Sequence, residues 1–222
     1  MRLFILEEMC MDLLNEAINQ YVRFRSHEAV EDNVDILSLF DRLKVVDFHT
    51  AQHSIVVAYV SSVIAAALPS SWSKRSIYLA GLFHDIGKLH WPRYLFSQVD
   101  MYPTEREMVQ QHPVEGHRLL TKYNAHSDCL DACLYHHERL NGSGFPCGTK
   151  TIPPAAAIVS VADTFTSIFI CRGKRQGRET RLHVVDALFA EAKENRLHPI
   201  YVDVVVEFFT SIPRRKADMI QW

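Results

Sequence analysis

The sequence lacks the features that define several large classes of protein. It has no C-x-x-C pair. Its five cysteines, at 10, 129, 133, 147 and 171, are odd in number and scattered, which reads as reduced thiols rather than a disulfide framework. It has no excess of charge of either sign. A net charge of −2 gives no electrostatic grip on a nucleic-acid polymer or an anionic membrane. An anionic substrate must then be held locally, by a few Lys or Arg or by metal ions. A long hydrophobic run is also missing: the longest, Ile55 to Leu68, covers 14 residues and is interrupted by Ser61 and Ser62. That is short for a bilayer span and suits a buried helix. The start, "MRLFILEEMCM", is only briefly apolar and carries Glu7 and Glu8, so it does not read as a signal peptide. Together these absences give the expectation of a cytoplasmic protein that contacts neither membrane nor nucleic-acid polymer.

Internal repeats, low-complexity tracts and the strict alternation of a half-buried strand are absent too. What remains is helical patterning in a chain of 222 residues with 48% apolar and 23% charged content, the balance of a globular protein. Residues 4–24 and 33–46 read as two amphipathic helices separated by "SHEAVED". Residues 50–67 are apolar nearly all round. Residues 74–85 follow, with Ser73 as N-cap. "TERE" at 104–107 reads as a capping box opening a short helix to His112. Pro113 suits the start of the next helix, and Ser127 the cap of one running to His136. Pro153 and Pro154 open an Ala/Val/Ile helix to about Ile170. "RLHVVDALFAEAKEN" reads as helix. "YVDVVVEFFTS" is ambiguous, since its valines also suit a strand. The expected fold class is all-α. Residues 1–47 form a short helical segment with too little apolar mass to fold alone, expected to pack on, or pair a homodimer through, a main domain at 48–222. The charged stretch 172–181, "RGKRQGRETR", is the candidate flexible loop.

Twelve histidines are placed in a telling way. His49 and His53 share a helix face. "HDIGK" at 84–88 ends an apolar helix at a glycine. His112 ends a short helix, and His136 and His137 end another, directly ahead of the glycine-rich "NGSGFP", which cannot continue a helix. Asp163 sits in the apolar "AAAIVSVADTF", where a carboxylate is costly without a cation. Taken singly, each has an ordinary structural account: a solvated imidazole, or for Asp163 an arginine partner or a turn to cap. Together His53, His84, Asp85, His112, His136, His137 and Asp163 supply five imidazoles and two carboxylates, more than one metal needs. With a bridging carboxylate the set fits two first-row ions about 3.5–4 Å apart. Its nitrogen-rich character suits Fe, Mn, Ni or Zn better than Mg or Ca.

The ordered set His53, "HDIGK" (84–88), "HPVEG" (112–116), "HHERLNGSGFP" (136–146) and "VADTF" (161–165) resembles the HD-GYP branch of the HD phosphohydrolases over about residues 49–210. The resemblance implies an all-helical domain that hydrolyses a cyclic dinucleotide, typically cyclic di-GMP, at a two- or three-metal centre that often contains iron; Fe or Mn is expected first, Ni or Zn next. It implies that His53, His84, Asp85, His112, His136, His137 and Asp163 are metal ligands and that Asp85 is the bridge. It further implies that Lys88 and Arg172 contact substrate phosphate and that the GSGFP loop, with Phe145, meets substrate or docks a diguanylate cyclase (GGDEF) partner. A phosphodiester resists nucleophiles because it is an anion. Two cations held by these residues would neutralise it and make a bound water acidic enough to attack near neutral pH, and Lys88 would stabilise the added charge.

The sequence departs from the family pattern at several places. "GYP" is "GFP" here, through Phe145. Asn141 replaces an aspartate, "SQVD" replaces Lys-Pro-Gly after the HD motif, Thr166 stands for a second aspartate, and Lys174 for a tyrosine. His49 takes the place of a glutamate that binds a third metal. An imidazole brings no negative charge to offset a third dication, so the expectation is a tight pair of ions, with His49 an outer partner or a weak ligand to an optional third. None of these changes removes a ligand of the pair. Metal binding is therefore firmer ground than the choice of nucleotide, and hydrolysis of another nucleotide, or a binding module of cyclic-dinucleotide signalling, are the alternative readings.

Overall fold

The computed structural model describes residues 2–28, 34–69, 72–97, 100–171 and 181–219. Every regular element among them is helical: α1 (Arg2–Glu28), α2 (Val34–Val46), α3 (Phe48–Ala67), α4 (Lys74–Phe83), α5 (Pro103–Gln110), α6 (His112–Lys122), α7 (Ser127–Tyr135), α8 (Pro154–Thr166), α9 (Arg181–Lys193) and α10 (Pro199–Met219). Short 3-10 turns at Ile86–His90 and Arg93–Phe96 join α4 to α5, and α8 continues as a π-turn over Ser167–Cys171. The all-α expectation holds.

The centre of the fold is α3. Asp47 caps it, its Oδ2 accepting the Thr50 N–H at 2.7 Å, a contact worth about 1 kcal/mol. Ala51, Ile55, Val56, Val57, Ala58, Val60, Ile64 and Ala65 are all buried, because α1, α2, α4, α8 and α10 pack around this one helix. By length and composition the whole of Phe48–Ala67 could also cross a membrane. It is longer than the 14-residue apolar run suggests, and it is enclosed by other helices instead. The N-terminal segment joins the same core: Leu13, Ala17 and Tyr21 of α1 and Leu37, Leu39, Phe40 and Leu43 of α2 are buried in it. Phe40 meets Phe83 edge-on with centroids 6.4 Å apart. Burial of such a ring contributes about 1.5–3 kcal/mol, which ties α2 to the end of α4.

The valine-rich "YVDVVVEFFTS" is helix, not strand. Tyr201, Val202, Val205, Phe208 and Phe209 are buried, and their spacing is helical, so one face of α10 turns inward. Phe209 packs against Phe165 and Phe169, at 5.4 and 5.2 Å. Three local expectations need correction. The capping box belongs two residues earlier than Thr104–Glu107: Glu105 accepts the Tyr102 N–H at 2.8 Å and Pro103 leads the helix, since proline at the first turn sacrifices no hydrogen bond. His126, not Ser127, caps α7, its Nδ1 accepting the Asp128 N–H at 3.2 Å. Regular α8 stops at Thr166, short of Ile170. Ser73 caps α4 as expected. The charged stretch at 172–180, with Arg172 and Lys174, lies outside the described residues.

Candidate metal centre

Helix ends create the site. His84 is the C-cap of α4 and Asp85 leads the 3-10 turn after it. Gly87 lets that turn press on α6: a Cβ there would lie 1.9 Å from the His112 carbonyl oxygen, so no other residue fits without moving the backbone. His112 opens α6, and His136 is the C-cap of α7. His53 projects from α3 and Asp163 from α8. The five imidazoles form one continuous set. His53 is 5.5 Å from His84, His84 5.0 Å from His136, and His136 4.0 and 5.3 Å from His137 and His112, between ring centroids.

The side chains fall into two groups whose candidate ligand atoms lie within 4.8 Å of one another: His53, His84 and Asp163, and Asp85, His112, His136 and His137. Asp85 faces both. Its Oδ2 lies 3.3 Å from His84 Nε2, while its Oδ1 lies 3.3 Å from His112 Nε2 and 3.9 Å from His136 Nε2. In the first group Asp163 Oδ1 sits 2.9 Å from His53 Nε2 and 4.0 Å from His84 Nε2. Asp163 thus pairs with an imidazole rather than with an arginine.

Hydrogen bonds on the far side of the rings fix which nitrogen faces inward. Nδ1 of His84 bonds the Gly81 carbonyl at 2.7 Å, Nδ1 of His112 the Val109 carbonyl at 2.6 Å, and Nδ1 of His136 the Ala132 and Cys133 carbonyls at 3.0 Å. A carbonyl only accepts, so each Nδ1 carries the proton and each ring turns its Nε2 to the centre. Burial favours the neutral form of His112 and His136, whose Nε2 is then a bare lone pair, whereas at His84 the lowering by burial is outweighed by Asp85 and Asp163, which raise it. Backbone-bonded imidazoles of this kind are typical metal ligands. Nε2 of His112 and His136 then stand 3.3 Å apart, two lone pairs facing each other with no proton to share. Burial makes that worse to relieve by protonation: it pushes His112 down to about 4 and His137 to about 3, and His136 well below its ordinary value. His84 Nε2 and Asp85 Oδ1 are buried without a hydrogen-bond partner. Burial alone would raise the Asp85 carboxyl, but Lys88 and His84 outweigh it and hold it well below the carboxylate range. Asp163 is likewise raised by burial and lowered further by His53 and His84. Ionised carboxylates, inward lone pairs and orphaned buried atoms together fit divalent cations.

The structure brings all seven predicted ligands together. Lys88 joins them, its Nζ 2.6 Å from Asp85 Oδ2. Phe145 lies directly on His137, ring centroids 4.5 Å apart and 25° from parallel. His49 stays apart: it is exposed, and it belongs to neither group. Thr166 is buried and its hydroxyl donates to the Ala162 carbonyl at 2.7 Å, so it faces its own helix. Asn141 donates to the Glu194 carbonyl at 3.0 Å, anchoring the loop to the end of α9. Sequence reasoning missed two neighbours. Trp91 lies under Lys88, the ammonium 5.1 Å from the ring centroid, and meets His112 edge-on at 5.8 Å. Glu138 is fully buried behind the His pair; its position next to His137 was the only signal available.

Residues 33–199 match the HD domain family. The chain belongs to that family. Among curated relatives, this HD domain chain is 30% identical over 98% of its length to a cyclic di-GMP phosphodiesterase of Thermotoga maritima, of which it covers 56%. It is 31% identical over 71% of its length to a 3'3'-cGAMP-specific phosphodiesterase of Vibrio cholerae, of which it covers 37%. It thus spans from about a third to just over half of these relatives. Among solved structures, an HDG"Y"P protein from Bdellovibrio bacteriovorus aligns with a TM-score of 0.59 at 21% identity, over 72% of this chain and 52% of the other. The HD domain of the L. monocytogenes phosphodiesterase PgpH in complex with cyclic-di-AMP aligns with a TM-score of 0.59 at 15% identity, over 78% of this chain and 97% of the other. These two likenesses show the shared helical fold.

Proposed function

We propose that this HD domain is a cytoplasmic, metal-dependent phosphodiesterase that hydrolyses a cyclic dinucleotide, with cyclic di-GMP first among substrates. The observation that carries the reading is the two-sided placement of Asp85, one carboxylate oxygen toward each histidine group. That is the arrangement two neighbouring dications require of a shared ligand. His53, His84 and Asp163 would hold one ion, and His112, His136 and His137 the other. Fe or Mn suits this N-rich, partly anionic set. Such a pair supplies Lewis acidity toward the phosphodiester and makes water acidic enough to attack near neutral pH. The chain's own part is to hold the ligands neutral or ionised as needed and to offer Lys88 as a cation beside the reacting phosphate. The relatives named for cyclic di-GMP and for 3'3'-cGAMP support the substrate class.

The test is direct. Protein purified with Mn²⁺ or Fe²⁺ is incubated in parallel with cyclic di-GMP, 3'3'-cGAMP and cyclic di-AMP, and the products are separated by chromatography. Metal-dependent opening of cyclic di-GMP, absent from Asp85→Ala, is the expected result. Turnover of only another cyclic dinucleotide would move the substrate assignment. Metal uptake with no turnover of any would make this a binding module.

A further inference from the structure

Glu138 has no part in the ligand set, yet it is a fully buried carboxylate one residue from His137. Its Oε1 accepts two backbone N–H groups from across the glycine-rich loop, Cys147 at 2.6 Å and Gly148 at 3.1 Å. Its Oε2 is buried without a hydrogen-bond partner. A buried carboxyl group held by two amides is a strong but costly device. The cost needs a reason.

The loop supplies one. With residues 147 and 148 drawn onto Glu138, the chain folds back on the His pair. The Phe145 N–H donates to the His137 carbonyl at 3.3 Å. Gly144 lies so close that a Cβ there would be 2.4 Å from both Glu138 Cα and the His137 carbonyl oxygen. The result is the Phe145 ring laid on the His137 imidazole, 4.5 Å between centroids, with its edge toward His112 at 6.4 Å. His84, His112 and His136 are each oriented by a backbone carbonyl at Nδ1. His137 has the Phe145 face against it, carried on the loop whose residues 147 and 148 bond Glu138. Arg139 completes the brace from the other side, its Nη1 donating to the His136 carbonyl at 3.1 Å and to Ser160 Oγ of α8 at 3.0 Å.

We propose that Glu138 is a positioning residue for the second ion: by clamping the loop at Cys147 and Gly148 it seats Phe145 on His137 and sets the affinity of the Asp85, His112, His136 and His137 group. The inference rests on the two-metal reading above. It is independent of which nucleotide is cleaved.

The experiment compares wild type, Glu138→Ala, Glu138→Gln and Phe145→Leu as the full chain, stripped of metal and titrated with Mn²⁺ against a competing chelator. Amide hydrogen exchange of residues 144–148 is followed in parallel. Loss of an outer partner typically costs about 10–100-fold in metal affinity. Glu138→Ala is expected to weaken one of two ions by that factor, leave the other unchanged, and speed exchange at Cys147 and Gly148. Glu138→Gln keeps an oxygen acceptor and should recover most of both properties. Phe145→Leu removes the ring but not the clamp, so it should weaken the same ion with exchange at Cys147 and Gly148 unchanged; it carries the test if Glu138→Ala does not fold. Equal weakening of both ions in Glu138→Ala, or wild-type ion binding in Phe145→Leu, would overturn the proposal while leaving the metal centre intact. A wild type that takes up no Mn²⁺ would instead sink the two-metal reading, and the role of Glu138 with it.

Discussion

The His53, His84 and Asp163 group takes two of its three side chains from within core helices, α3 and α8, whereas every histidine of the His112, His136 and His137 group sits where a helix starts or stops. In the first, α3 and α8 already pack for reasons of apolar burial, and the ligands come with the packing. This group contains a carboxylate of its own, Asp163, whose Oδ1 lies 2.9 Å from His53 Nε2. The second group has no carboxylate of its own beyond the shared Asp85. It is organised by backbone carbonyls and by a loop that a buried glutamate holds in place. The first half is therefore held mainly by the core, although His84 is also turned by the Gly81 carbonyl, and the second by local hydrogen bonding. The halves should fail differently when perturbed.

Asp85 is the element they share, so its loss should have the largest effect. Asp85→Ala removes an oxygen from each group and leaves five imidazoles with one carboxylate. Both ions should be lost on dialysis, and turnover should fall by at least ~10³-fold, about 4 kcal/mol. Atomic absorption and steady-state kinetics check this; a variant that keeps two ions would show that the halves are not joined through Asp85.

Next come the single-ligand losses that separate the halves. His136→Ala should empty the second group and leave one ion on His53, His84 and Asp163. His53→Ala should do the reverse. Each loss should exceed the ~10–100-fold that outer partners command. If either variant lost both ions together, the two groups would be one cooperative site, and the distinction between core-built and loop-built halves would have no energetic meaning.

Lys88→Ala should come third. The ammonium pairs with Asp85 at 2.6 Å and lies over Trp91. Removing it leaves every metal ligand in place, so ion content should hold. The loss of one fixed cation beside a phosphate should lower kcat about 10²-fold. An unchanged kcat/KM would make Lys88 only a solvated partner of Asp85.

The contrast between the halves also explains what could be read from the sequence. All-helical patterning was legible because apolar residues repeat at helical spacing, and α3 was plain from Ile55 to Leu68. The seven candidate ligands were legible as a set, because five imidazoles and two carboxylates at helix ends and in apolar helices are more than separate structural roles call for. Tertiary detail was less so. The valines of α10 fit strand or helix equally well until Phe209 is seen packing on Phe165 and Phe169. The caps of α5 and α7 shifted by one or two residues because Pro103 and the His126 ring won over the Thr and Ser that local preference favoured. Glu138 and Trp91 were invisible because their roles depend on what folds back against them. A glutamate after two histidines carries no mark of being clamped to residues 147 and 148.

Phe145→Tyr should have a smaller effect, and it sharpens the loop-built half. A tyrosine keeps the ring that lies on His137 and adds only a hydroxyl. Activity should change by less than tenfold, under about 1.4 kcal/mol, and ion affinity should not change. A much larger gain in turnover would mean that the hydroxyl belongs to the chemistry and that the Gly-Phe-Pro loop marks a weakened enzyme.

The smallest effect is expected at His49, where the spacing argument and the geometry part company. Four residues before His53 on the same helix, His49 lies one turn from the first group, and this spacing made it the candidate additional ligand. The turn matters, however. His53 is largely enclosed between α3 and α8, its side chain 15% exposed, whereas His49 is exposed and its neighbouring ring is Phe48, at 6.4 Å. A third dication at His49 would sit beside two others with no carboxylate among the grouped ligands to spare, since Asp85 faces both groups and Asp163 is engaged by His53. Coulomb repulsion between unit charges 4 Å apart is already about 4 kcal/mol at an effective dielectric of 20, and fourfold more for dications. His49→Ala should therefore leave two tightly held ions and wild-type turnover within about twofold. Three equivalents in the wild type falling to two in His49→Ala would reverse this and extend the core-built half by one more metal position.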